Sequence, residues 1–129
     1  MTDGQLLLWA GLLALAVGLV HSVLGEILIF NRMRYGTLIP TKGGELLGER
    51  HVRILWASWH VVTVFGFALA AVLLRLWQVP SLDLRPFLIG TISSAMAFAA
   101  LLVLVATKGR HPGWLGLLGI AVMTWFSTG

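Results

Sequence analysis

Two histidines stand inside apolar stretches of the sequence, where an ionisable side chain is costly. His21 lies in "LAVGLVHSVLG" and His60 in "RILWASWHVV". An ionisable group within a membrane span is by default a candidate for function, because burying it in lipid is unfavourable unless it is paired. A neutral imidazole can be buried structurally, can bind a metal ion or haem iron, or can relay a proton. All three interpretations apply to His21 and His60.

Other polar residues could act with these two imidazoles. The secondary ligands or proton-handling groups are Glu26, Glu49, His51 and His111. The residues that could support the ligands are Ser22, Arg53 and Thr63. Glu49 and Arg53 also have a simpler interpretation, since residues four apart on a helix can form a surface ion pair. No residue is assigned a catalytic role.

Basic residues near the predicted helix ends form a second candidate site, for an anion or a lipid head group. They are Arg32, Arg34, Lys108 and Arg110. Basic clusters next to a membrane attract anionic lipids. The alternative is an ordinary basic loop in which His111 caps the following helix and Pro112 occupies its first turn.

The composition excludes several classes of protein. Of 129 residues, 58% are hydrophobic and only 11% are charged, which is incompatible with an ordinary soluble domain. Cysteine is absent, so disulfides, thiolate metal sites and iron–sulfur clusters are excluded. The basic residues do not form a basic helix or an aromatic platform, and we therefore expect no nucleic-acid partner.

The hydropathy pattern predicts an all-α integral membrane protein, a four-transmembrane-helix bundle with antiparallel up-down topology. The predicted spans are residues 5–30, 53–77, 86–107 and 112–126, in a single transmembrane domain over 1–129. The first span is too long and wrongly flanked for a cleaved signal peptide. Helix 2 is expected to begin near Gly44, because Glu45 and Glu49 favour a helix N-terminus.

The distribution of Lys and Arg predicts the orientation in the membrane. Short loops that are rich in these residues stay on the cytoplasmic side. We therefore expect loops 31–50 and 108–111 to be cytoplasmic and both termini to lie outside, in a bacterial inner membrane.

Small and polar residues indicate which faces of the first two helices meet. A stripe of small residues on helix 1 includes Gly18, His21, Ser22 and Gly25, and small residues mark helix contacts in lipid. Helix 2 has a polar stripe, namely Glu49, Arg53, Trp56, His60, Thr63 and Phe67. Counted from the inner helix ends, His21 and His60 should both lie about 13 Å deep.

These features support three hypotheses about function. The first is a site in which His21 and His60 bind haem b or a transition-metal ion for redox or metal-dependent chemistry on a lipid-soluble substrate, as in a membrane oxidoreductase. The second is a small proton-coupled transporter or channel that works as an oligomer. The third is a non-catalytic subunit of a larger membrane complex. The bilayer itself, and anionic lipid, are the other expected partners.

Overall fold

Most of the described residues are helical, and the longest non-helical stretch is 34–48. A computed structural model describes residues 3–79 and 83–126. Its four α-helices are α1 (Asp3–Leu24), α2 (Glu49–Gln78), α3 (Arg85–Thr107) and α4 (Gly113–Phe126). The ends of the predicted domain 1–129, and so the predicted location of both termini, lie outside the described residues. Residues 80–82, in the connection between α2 and α3, also lie outside them.

The first helix changes its winding before it ends. After Leu24 the chain forms a π-helical segment, Gly25–Ile29, followed by a 3-10 segment, Phe30–Met33. The predicted end at residue 30 is therefore close to the end of helical structure. Single π turns inside α-helices occur frequently at functional sites. This one contains Glu26.

Helices α1 and α2 are antiparallel and pack closely through glycines. A methyl group added to Gly11 or Gly18 of α1, or to Gly25 of the π-helical segment, would overlap a large α2 side chain; the overlapped side chains are Leu74, Phe67 and Trp59, respectively. As the residue number rises along α1 it falls along α2, which makes the two helices antiparallel. The predicted stripe of small residues is thus confirmed as the α1 face that contacts α2.

Helix α2 begins five residues later than expected. Gly44 has a positive φ of 68°, a left-handed conformation that interrupts a right-handed helix. Its neighbour Gly43 forms an isolated bridge with Leu47, and Gly48 is the N-cap of α2. The two acidic residues at 45 and 49 therefore lie on either side of the helix start instead of both inside it.

A small core joins α2, α3 and α4. Ala57 of α2 packs with Val103 and Ala106 of α3, and Trp114 of α4 covers this cluster. Arg53 adds a polar link, because its Nε donates a hydrogen bond to the carbonyl oxygen of Ala106. The start of α2 is thereby fixed to the end of α3.

Three of the helical stretches are long and apolar enough to cross a membrane: Gln5–Met33, Glu49–Gln78 and Arg85–Thr107. Helix α4 has 14 described residues, or about 21 Å, less than the hydrocarbon thickness of about 30 Å. Many large apolar side chains on these helices are exposed, for example Leu13, Phe98 and Met123. Such a surface suits a lipid environment.

Candidate functional site

His60 lies at the centre of a polar cluster between α1 and α2. Its Nε2 is 2.8 Å from Oε1 of Glu26, and its Nδ1 is 2.8 Å from Oγ of Ser22. Both ring nitrogens are thus engaged by side chains about one turn apart, Ser22 near the end of α1 and Glu26 in the π-helical segment. The side chain of His60 is only 16% exposed. We call Ser22, Glu26, Arg34, His60 and Thr63 the His60 cluster.

Glu26 receives hydrogen bonds from three directions. Trp56 Nε1 donates to its Oε1 at 2.6 Å, in addition to the contact with His60. Arg34 forms an ion pair with the other carboxylate oxygen, Oε2. Such charge-assisted contacts favour an ionised carboxylate. The π-helical segment positions this side chain toward α2, and the chain beyond the 3-10 segment returns Arg34 to it.

Ser22 links His60 to Thr63. The Oγ of Ser22 is 2.8 Å from Oγ1 of Thr63, and the Thr63 hydroxyl is 3.4 Å from the carbonyl oxygen of Gly18. A continuous hydrogen-bonded series therefore runs from Arg34 through Glu26, His60, Ser22 and Thr63 to the α1 backbone. Every member except the last carbonyl is a side chain.

The His60 cluster borders an open groove of about 690 Å³. Small-molecule sites typically enclose about 300–1,000 Å³. Apolar side chains complete its lining, among them Leu38, Trp56, Val64 and Leu102. The groove thus combines an apolar surface with a few convergent polar groups, which is the usual composition of a ligand site.

His21 has different neighbours from His60. Its ring stacks on Trp59, with centroids 4.3 Å apart and planes 7° apart. The indole Nε1 of Trp59 donates to the His21 carbonyl oxygen at 3.0 Å. Nε2 of His21 is buried and has no hydrogen-bond partner among the described residues. The two histidines thus contact separate partners, although both lie at the α1–α2 interface.

The predicted ligands do not gather around one point. Among residues 3–79 and 83–126, no group of three or more His, Asp and Glu side chains is placed to hold a metal ion. Glu26 and His60 are together, whereas the other candidate ligands lie elsewhere. Glu49, His51 and His111 line a separate cavity at the start of α2.

The four predicted basic residues do not form one site. Arg34 belongs to the His60 cluster, whereas Lys108 and Arg110 line the cavity at the start of α2. Arg32 is exposed.

His111 accepts a hydrogen bond at Nδ1 from the backbone N–H of Gly113, so it caps α4 as the alternative interpretation proposed.

The three candidate supporting residues, Ser22, Arg53 and Thr63, all make local side-chain contacts. Arg53 Nη1 is 3.2 Å from Glu49 Oε1, the helical ion pair proposed from their spacing. Ser22 contacts the imidazole of His60 directly, whereas Thr63 contacts the hydroxyl of Ser22 and reaches the ring only through it. Arg53 contacts Glu49 and Ala106 rather than a histidine, so its position matches the ion-pair interpretation.

Two tryptophans beside the cluster make contacts that the sequence pattern does not predict. Trp56 donates a hydrogen bond to Glu26, and Trp59 stacks on the ring of His21 while donating a hydrogen bond to the His21 carbonyl oxygen. The available signal was the spacing of Trp56 and His60, four residues apart on the polar stripe. That spacing places Trp56 and His60 on one face of α2. It does not identify Glu26 as the hydrogen-bond acceptor of Trp56, because the position of Glu26 depends on the π-helical segment.

Comparison of the chain with protein-family models, with curated proteins and with solved structures found no match.

Proposed function

We propose that this chain is a small proton-coupled membrane transporter in which His60 and Glu26 form the proton-binding site. The observation that carries the proposal is the hydrogen-bonded series from Glu26 to the Gly18 carbonyl. This series can satisfy His60 in both of its protonation states without moving a heavy atom.

In the neutral state, the carboxylate of Glu26 can only accept, so the Nε2–H of His60 donates to it. Nδ1 is then an acceptor, and the Ser22 hydroxyl donates to it. The Thr63 hydroxyl is left to donate to the Ser22 oxygen. Each polar atom in the series has a partner.

In the protonated state, both ring nitrogens of His60 donate. Nδ1–H now donates to the Ser22 oxygen, and the Ser22 hydroxyl turns to donate to Thr63. The Thr63 hydroxyl donates in turn to the Gly18 carbonyl oxygen. Rotation of two hydroxyl groups therefore accommodates one added proton, and the ionised Glu26 stabilises the imidazolium.

The groove beside the cluster provides room for a solute. Its lining is mostly apolar, which favours a lipid-soluble molecule with a polar group that reaches Glu26 and His60. Binding of such a group next to the imidazole changes the free energy of protonating it. That coupling between solute and proton is what a proton-coupled transporter requires.

Within this proposal the chain is an antiparallel bundle of four membrane-crossing helices in a bacterial inner membrane. Loops 31–50 and 108–111 face the cytoplasm, and both termini lie outside. A chain of this size presents few faces to enclose a pathway, so the transporter works as an oligomer.

The proposal is tested in liposomes that contain the purified protein and a trapped pH-sensitive dye. A pH gradient is imposed, and lipid-soluble amines, weak acids and neutral amphiphiles are added in turn. We expect one class to accelerate the pH change, and the effect to fall at least tenfold in His60→Gln and Glu26→Gln. His51→Gln, an exposed histidine outside the cluster, should transport normally. Rates equal to those of protein-free liposomes for every class would contradict transport.

A haem or transition-metal site is the second candidate, and one observation favours it. The buried Nε2 of His21 has no hydrogen-bond partner among the described residues, so it has a free lone pair or an unused N–H. His60 could join it as a ligand only by giving up Ser22 or Glu26. Purified protein should then show a Soret band or bound metal that is lost in His21→Ala. Absence of both, by absorbance and elemental analysis, removes this candidate.

If the protein shows neither transport nor a cofactor but copurifies with a stable larger membrane complex, the third hypothesis, a non-catalytic subunit, takes its place.

A further inference from the structure

A second cavity lies between the start of α2 and the turn that joins α3 to α4. Its volume is about 370 Å³. Its ionisable lining residues are Glu49, Arg50, His51, Arg53, Lys108, Arg110 and His111. We call this cavity the basic pocket. None of its lining residues lines the groove beside His60, so the two sites are separate.

The basic pocket has a large excess of positive charge. Four cationic side chains, those of Arg50, Arg53, Lys108 and Arg110, line the pocket together with a single carboxylate, that of Glu49. Glu49 contacts Arg53 at 3.2 Å and Lys108 at 3.7 Å, so it offsets part of their charge. The cavity therefore has three uncompensated positive charges, before either histidine is protonated.

Two of these four cations make no side-chain hydrogen bond or ion pair in the described part of the chain. Arg53 is fixed by Ala106 and Glu49, and Lys108 by Glu49. The side chains of Arg50 and Arg110 form no hydrogen bond or ion pair with any residue in 3–79 or 83–126. Guanidinium groups match the oxygens of phosphate in a bidentate geometry.

The pocket lies where the apolar helices end. The run of apolar residues in α2 starts at Ile54, which itself lines the pocket, and the last residue of α3 is Thr107 on the opposite wall. In a membrane-crossing chain this level corresponds to the lipid head groups, just outside the hydrocarbon core.

We propose that the basic pocket binds a phosphate group, with Arg50 and Arg110 as its principal ligands. The phosphate is carried by an anionic lipid or by a soluble phosphate compound. The inference does not depend on the proposed transport function, because it uses a different cavity and different residues.

The test measures the melting temperature of the full chain in a neutral detergent while ligand is added. The probes are short-chain phosphatidic acid, short-chain phosphatidylcholine and inorganic phosphate. A ligand that binds the folded state raises the melting temperature in a saturable way. We expect saturation with phosphatidic acid and a loss of affinity of at least tenfold in the double variant Arg50→Gln/Arg110→Gln. Phosphatidylcholine, whose head group has no net charge, should have no such effect.

The double variant Arg32→Gln/Lys42→Gln is the matched control, because it removes two exposed cations outside the pocket. It should keep the affinity of the unmodified chain. If the pocket variant does not fold, Arg110→Gln alone is used, since that side chain is exposed and makes no internal contact among the described residues.

Each outcome decides the proposal. Saturation by phosphatidic acid but not by inorganic phosphate assigns a lipid ligand, and equal affinities for both assign a soluble phosphate. No saturation with either probe would overturn the site. An equal loss of affinity in the pocket variant and the control would overturn it too, because binding would then reflect net charge alone.

Discussion

Glu26 and Arg34 form an ion pair whose side chains are largely shielded from solvent. Arg34 is 21% and Glu26 28% exposed, whereas the pair of Lys108 and Glu49 is 60% and 51% exposed. A charge-assisted contact is screened less when water is excluded. The two pairs therefore provide a comparison within one chain.

We expect a double-mutant cycle of Glu26→Gln and Arg34→Gln to give a coupling energy of about 1.5–3 kcal/mol in the free energy of unfolding. The same cycle with Glu49→Gln and Lys108→Gln should give about 0–1 kcal/mol. Chemical denaturation in detergent micelles measures both. Equal coupling in the two cycles would mean that Glu26 is not held as described.

The individual residues of the site could be predicted only in part. Ionisable groups in apolar runs are conspicuous, so His60, Glu26 and Ser22 were all candidates from the sequence. Their mutual contacts were not predictable, because those depend on how α1 ends. His21 and His60 were predicted at the same depth, and depth alone does not determine what each ring contacts.

Gly25, the first residue of the π-helical segment, packs against Trp59 of α2 next to the His60 cluster. A methyl group there would overlap the indole ring of Trp59, which stacks on His21. We expect Gly25→Ala to destabilise the protein by about 1–3 kcal/mol, because an overpacked interface must shift. The melting temperature in detergent measures the effect.

Gly66 of α2 is the matched control for this substitution. A methyl group at Gly66 would have no atom within 4 Å outside its own helix. Alanine also favours a helix over glycine by up to about 1 kcal/mol. Gly66→Ala should therefore leave the stability unchanged or raise it. A similar loss of stability in both variants would argue against a specific contact at Gly25.

The helices themselves were predictable because hydropathy and turn residues determine them. The start of α3 was expected at Pro86 and lies at Arg85, since proline suits the first turn of a helix. The π-helical segment was not predictable. Glu26 and Gly25 of this segment contact α2 side chains, and such contacts between distant parts of the chain do not show in a pattern of single residues.

The arrangement of the whole chain in a membrane can be tested by labelling, since the chain contains no cysteine. Single cysteines are introduced at three exposed positions: Leu46 and Arg110 in the basic connections, and Asp83 before α3. We expect a membrane-impermeant maleimide to label Leu46→Cys and Arg110→Cys from one side and Asp83→Cys from the other. Labelling of all three from the same side would contradict the proposed topology.

At the scale of the whole molecule, composition and hydropathy predicted an all-helical chain with apolar helices, and three of the described helical stretches are long and apolar enough to cross a membrane. The number of spans was less well determined. Helix α4 has only 14 described residues, although its sequence is the most apolar of the four helices. An apolar composition indicates that a helix prefers a lipid environment, but a helix must also be long enough to cross the hydrocarbon core of a membrane.

The most direct test of the account is the ¹⁵N spectrum of the His60 imidazole, assigned by its disappearance in His60→Gln and followed as the pH is lowered. We expect the neutral ring to carry its proton on Nε2, facing Glu26, and to gain a second proton on Nδ1, facing Ser22, while the protein stays folded. Ser22→Ala should shift the Nδ1 resonance. A neutral ring protonated on Nδ1, or a ring that gains its proton only as the protein unfolds, would contradict the account.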